Sequence, residues 1–168
     1  MYEGTADANT LWQGDVVVGC AFPVFFNLSF SAQDWGSQFK LRIGPLAIVS
    51  HSCDLEIVSG KLKRSTVQFS PLVPVPSVLT KKPEALSRLR KHEAIDSAHP
   101  EFINYFFYQA FPDVLPDDMV IDLSVIHSFQ SSVGLIQQLK EHKRLQLQSD
   151  AREYLQDRLA LHFAREAE

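Results

Sequence analysis

Apolar and polar positions alternate in short runs through most of this chain, and its end switches to a four-residue period. Residues 1–10 are small and polar and read as a loose arm. Trp12-Gln-Gly-Asp15 predicts a turn into a strand over Val16–Cys20, followed by a second strand over Phe22–Phe30. Phe39, Leu41 and Ile43 alternate with Lys40 and Arg42, the period-2 pattern of a half-buried strand. Gly44-Pro45 then interrupts the pattern. Leu46–Val49 has the length and β-branched content of a buried strand. Gly60, with Lys61 and Lys63, marks a loop before a strand over Thr66–Val73. Pro71, Pro74 and Pro76 close that strand, since proline donates nothing to a ladder.

Pro83–Glu93 predicts a short basic helix, with proline in the first turn and Leu86 and Leu89 on one side. An aromatic run covers Phe102–Phe111, and a turn rich in proline and aspartate follows. Met119, Ile121 and Leu123 alternate with Asp122 and Ser124 as the next strand. Val133–Leu139 predicts another short helix. Ser149-Asp150 makes a helix N-cap, and behind it Leu155, Leu159 and Phe163 repeat every four residues, flanked by Ala151 and Tyr154. Short strands followed by a terminal amphipathic helix predict a mainly β fold, a small and strongly curved barrel with added helices. The expected layout is one domain over 1–168: the arm over 1–10, the barrel over 11–130 with its helical insertion near 83–93, and a helical part over 131–168.

Composition changes this picture little. With 168 residues, 45% hydrophobic and 21% charged, the chain can bury a core without metal or disulfide staples. A net charge of -4 argues against broad nonspecific nucleic-acid binding but leaves room for a local basic patch. The first residues lack the basic and apolar regions of a signal peptide, and no apolar run reaches the ~18 residues of a membrane span. The expectation is a cytoplasmic protein with Cys20 and Cys53 reduced.

Candidate chemistry concentrates where the Leu46–Val49 strand ends, in Ser50-His51-Ser52-Cys53-Asp54. On extended backbone His51 and Cys53 point the same way, and a neighbouring imidazole activates a thiol. A cysteine-dependent enzyme centred on Cys53 is therefore one reading. The plainer reading is a buried small thiol at a strand end, with Asp54 and the serines making turn hydrogen bonds. Cys20 and His127 would have to complete a metal site, and a single close pair does not make the paired spacing of structural zinc. No metal or cofactor is expected. Lys61, Lys63 and Arg64, with Arg88, Arg90, Lys91 and His92, could hold phosphates. Asp and Glu outnumber Lys and Arg, 20 to 16, which favours a solvated face instead. Surplus aromatic surface on Tyr105 and Phe107, with Tyr154 and Phe163 of the terminal helix, predicts a protein contact; the alternative, given equal weight, is an inner strand covered by the two helices.

Three segments resemble the PemK/MazF family of small SH3-like β-barrels. Gly14-Asp15-Val16-Val17 is similar to its opening Gly-Asp and apolar strand, and Pro45-Leu-Ala-Ile-Val-Ser50 to its Pro-apolar-Ser strand. Val67-Gln-Phe-Ser-Pro-Leu72 sits where the family places its next core strand. The resemblance implies a bacterial defence or toxin–antitoxin context, a protein partner encoded nearby and a possible homodimer. Toxin members cut single-stranded RNA with an arginine just before the strand proline and a Ser or Thr after the next strand. Here Gly44 precedes Pro45, and Pro71-Leu-Val-Pro74 follows the Phe69 strand. The expected role is thus a noncatalytic protein-binding module that regulates or positions an effector. The alternative is a divergent endoribonuclease using Arg42, Ser50 and His51, with RNA as its partner.

Overall fold

A computed structural model describes residues 1–3, 7–27, 38–93 and 102–165. Its frame is a long antiparallel ribbon of β1 (Val16–Asn27) and β2 (Gln38–Ile48). One side of β1 takes β10 (Lys143–Leu145) at Val16 and Val17. β2 pairs with β5 (Thr66–Pro71) only through Leu46, Ala47 and Ile48, and β5 pairs with β9 (His127–Gln130). The resulting sheet has five strands in the order β10-β1-β2-β5-β9. Past Leu72 the chain turns a corner into β6 (Val73–Pro74), which joins β7 (Tyr105–Tyr108) and β8 (Met119–Asp122) in a three-stranded sheet ordered β6-β8-β7. A small hairpin of β3 (Ile57–Val58) and β4 (Lys61–Leu62) turns at Ser59-Gly60. The sheets are antiparallel, and among the described residues they do not close into the expected barrel.

Among the described residues four α-helices cover these sheets: α1 (Ser77–Thr80), α2 (Pro83–Arg90), α3 (Val133–His142) and α4 (Ser149–Arg165). Pro83 opens α2, where its missing N–H costs nothing. Ser132 Oγ accepts the Leu135 N–H at 3.1 Å and so caps α3. Alternation along β1 and β2 sends side chains into two cores. Val16 and Ala47 pack with Phe106, Tyr108, Leu155 and Leu159, beneath α4. Val17, Leu46 and Ile48 pack with Phe69, Ile136 and Leu139, beneath α3. Burial on both faces is why Leu46–Val49 reads as an unbroken apolar run. Each of Leu155 and Leu159 contributes about 1.5–3 kcal/mol by leaving water. A third cluster joins Leu79, Leu86 and Leu89 of α1 and α2 to Phe102 and Phe107.

Several elements differ from the sequence reading. The two strands expected over 16–20 and 22–30 form one strand through Asn27, and the last part of the second expectation, residues 28–30, lies outside the described residues. Gly19, at φ +82, carries the chain through an irregularity in β1 where an extra residue opposes β2. Nor does Gly44-Pro45 break β2. The Pro45 carbonyl accepts the Leu72 N–H at 3.0 Å, so its absent N–H falls on the side where β5 pairing only begins. The described part of the arm is pinned rather than loose: Glu3 N–H donates to the Gln146 carbonyl at 2.8 Å, and Gln148 N–H to that of Met1 at 2.8 Å.

Candidate functional site

The strand end holds His51 and Cys53 together, through a 3₁₀ turn and not the extended backbone assumed from their spacing, and Cys53 is exposed, not the buried thiol of the plainer reading. Val49 and Ser50 follow β2, and a 3₁₀ turn over Ser52–Leu55 turns the chain back. His51 Nδ1 lies 2.8 Å from Cys53 Sγ, and both residues are exposed. The serines here are structural. Ser50 is buried and its Oγ accepts the Gln68 N–H at 2.8 Å, while Ser52 Oγ accepts the Gln13 N–H at 3.0 Å. Asp54 accepts from Arg64 Nε at 3.3 Å. Cys20 stands apart from this pair in β1, half-buried, and burial pushes its thiol pKa up. Among the described residues no group of three or more His, Cys, Asp or Glu side chains is arranged to hold a metal ion.

Arg42 belongs to a different place. Six residues of extended strand, about 20 Å, separate it from Ile48 at the far end of β2. The proposed trio of Arg42, Ser50 and His51 is therefore not assembled, and Ser50 Oγ is already committed to the backbone. Instead Arg42 lines an open cleft of about 600 Å³. The cleft lies where β2 and β5 diverge, with Gly44 and Pro45 on one side and Pro71, Leu72, Val73 and Pro74 on the other. Phe22, opposite Arg42 in the ladder, has its ring 6.4 Å from that of His127. Asp122 also reaches the cleft, but its Oδ1 is taken by the N–H of Ser124 at 2.9 Å and by its hydroxyl at 2.5 Å. Sequence reasoning missed this meeting of Arg42, Asp122 and His127, because nothing local links positions so far apart in the chain.

The basic residues split up. Leu62 of β4 belongs to the core under α3, whereas Leu86 and Leu89 of α2 belong to the third cluster. Lys63 pairs with Glu56 at 2.6 Å, a bond that raises the lysine's pKa, and Arg64 pairs with Asp54. Arg90 pairs with Asp118 at 2.9 Å. These neighbours offset the positive charge that a phosphate-binding face would need. Lys61 is exposed on β4, and Arg88 lies half-buried in the last turn of α2.

The aromatic prediction needs correcting at Phe107. Phe106, Phe107 and Tyr108 are all buried, because α4 lies on one side of this short strand and α2 on the other. Phe107 is core, not contact surface. Tyr105 is half-buried. Tyr154 stacks on His92 with ring centroids 5.1 Å apart and donates its hydroxyl to the Glu93 carbonyl at 2.9 Å. Phe163 is exposed at 49%, off the stripe made by Leu155 and Leu159.

Another unread constellation supports the fold. Lys143 Nζ, fully buried, donates its three hydrogens to the carbonyls of Asp7 and Thr10 and to Gln146 Oε1 at 2.7–2.8 Å, and forms an ion pair with Asp15 Oδ2 at 2.8 Å. Burial lifts the Asp15 carboxyl to about 6 against the downward pull of Lys143 and the Trp12 N–H. Arg158 likewise spends its guanidinium on the carbonyls of Phe102, Ile103 and Tyr105. No family model matches the chain, and no curated protein matches it. Among the described residues no helix is long and apolar enough to cross a membrane.

Proposed function

We propose that this chain is a noncatalytic, PemK/MazF-like binding module that regulates or positions an effector protein in the cytoplasm, in a bacterial defence or toxin–antitoxin setting. In this reading the bent sheets are a divergent, open form of an SH3-like barrel. The observation that carries it is the cleft at Gly44-Pro45 and Pro71–Pro74. At the positions where the resemblance implies a catalytic arginine and a hydroxyl, the lining residues are Gly44 and Pro71-Leu72-Val73-Pro74. A transition state with developing charge on phosphate needs fixed donors and a proton-transfer group. An apolar cleft beside exposed Leu41 and Ile43 suits protein contact better.

One observation favours the runner-up, a divergent endoribonuclease: Arg42 and His127 line the same cleft. Inducible expression in a bacterium separates the two, with growth, total RNA integrity and capture of proteins encoded beside it all recorded. Normal growth, intact RNA and a captured neighbour support the binding module. Growth arrest with RNA fragments that vanish in Arg42→Ala and His127→Ala overturns it.

A further inference from the structure

β2 has an open edge. Its residues pair with β1 from Gln38 to Ala47, but the opposite side is bonded only from Pro45 onward, where β5 begins. Backbone groups in a strand alternate between the two edges. The Pro45 carbonyl points at Leu72 N–H, so the N–H and C=O of Ile43 and Leu41 point the same way, beside the cleft. Among the described residues nothing pairs with them. Leu41 and Ile43 are also 66% and 77% exposed, on one face of the ribbon. Arg42 lies on the other face, exposed and without an ion-pair partner among the described residues. Unpaired edges of this kind invite strand addition.

A second copy of the chain fits this edge poorly. Antiparallel pairing about Arg42 sets arginine against arginine, and pairing about Leu41 sets Arg42 against the position of Lys40. Pairing about Ile43 sets Leu41 against Pro45, which has no N–H and whose carbonyl already serves Leu72. We infer that the Leu41–Gly44 edge of β2 receives an extended segment of a partner protein that alternates apolar and acidic residues. Its apolar side chains would cover Leu41 and Ile43, and its carboxylates would face Arg42. This rests on the binding-module reading and names the chemistry of the partner.

The test uses the full chain and a fluorescent nine-residue peptide alternating valine and glutamate, with a valine–lysine peptide as control. The glutamate peptide is expected to bind at least about tenfold more tightly than the control, and Arg42→Glu to reverse the preference. The Leu41 and Ile43 amides should gain protection from hydrogen exchange on binding. Equal binding of both peptides, no binding at about millimolar peptide, or binding without protection of those amides overturns the inference. So does displacement of the bound peptide's signal by single-stranded RNA with cleavage of that RNA, which sinks the parent reading too. If Arg42→Glu captures the neighbouring protein as well as the native chain does, the module reading stands and this edge is not its site.

Discussion

Replacing Lys143 with methionine tests the most heavily bonded side chain in the molecule. The change keeps much of the aliphatic stem and removes the ammonium that donates to three oxygen acceptors and pairs with Asp15 Oδ2 at 2.8 Å. Asp15 Oδ1 has no other partner, so the carboxylate would be left buried with only the Trp12 N–H. Breaking a buried pair on one side costs about 3–5 kcal/mol. For a chain this long, that is a fall of roughly 10–15 °C in Tm. The cost should also depend on pH. Burial already raises the Asp15 carboxyl to about 6, and without Lys143 it rises further. A raised carboxyl stabilises the fold below its unfolded value and loses that stability as pH climbs through its folded value. The Lys143→Met penalty, read from urea melts, should therefore be smaller at pH 5 than at pH 8. The double variant Asp15→Asn/Lys143→Met should be less damaged than the two single costs added together. A penalty under about 1 kcal/mol at pH 8, or strict additivity, would refute the reasoning.

Gly14→Ala should destabilise by about 2 kcal/mol or more, because the new Cβ would lie 2.3 Å from Leu147 Cδ1 on a backbone at φ +86; an unchanged urea midpoint would contradict this. Iodoacetamide at mildly alkaline pH should label exposed Cys53 well before half-buried Cys20, whose thiol burial holds up, and peptide mass spectrometry would expose equal rates. His92 packs in a cluster with the rings of Phe106 and Tyr154, at 4.9 and 5.1 Å, and burial lowers its pKa. Its NMR titration midpoint should fall below ~6.5. The stability it contributes is present above that value and fades as pH drops through the folded midpoint; a midpoint at or above it would overturn the packing argument.

How much of this was legible depended on how local each cause was. Pro45–Val49 announced itself because both faces of that segment are covered, leaving no polar positions in it. The terminal helix was legible from its four-residue period, although Ser149 and Asp150 lie in its first turn instead of capping it, and Phe163 leaves the buried stripe that Leu155 and Leu159 follow. The exposure of Leu41 and Ile43 could not be read from alternation. Period two says only that they share a face, and whether anything covers that face is decided by where β5 stops pairing. Phe107 failed for the opposite reason. A four-residue strand lies between two helix-covered cores, so its outer face is buried as well. Lys143 and Arg158 carried no signal at all, since their partners are mostly backbone carbonyls.

The same divergence of strands makes both the cleft and the open edge. β5 leaves β2 after Pro71 and the chain runs on into β6 of the second sheet, where Ile121 of β8 packs with Phe106 and Tyr108. β2 keeps going with β1 as its only ladder partner among the described residues. The gap follows from that divergence, and it places Arg42 and His127 on one cleft, beside β2 backbone that is unpaired among the described residues, whereas His51 and Cys53 do not line it. Chemistry that needs all four side chains at one point is incompatible with this architecture. Recognition that reads backbone, two apolar side chains and one cation needs only what the edge of β2 already presents.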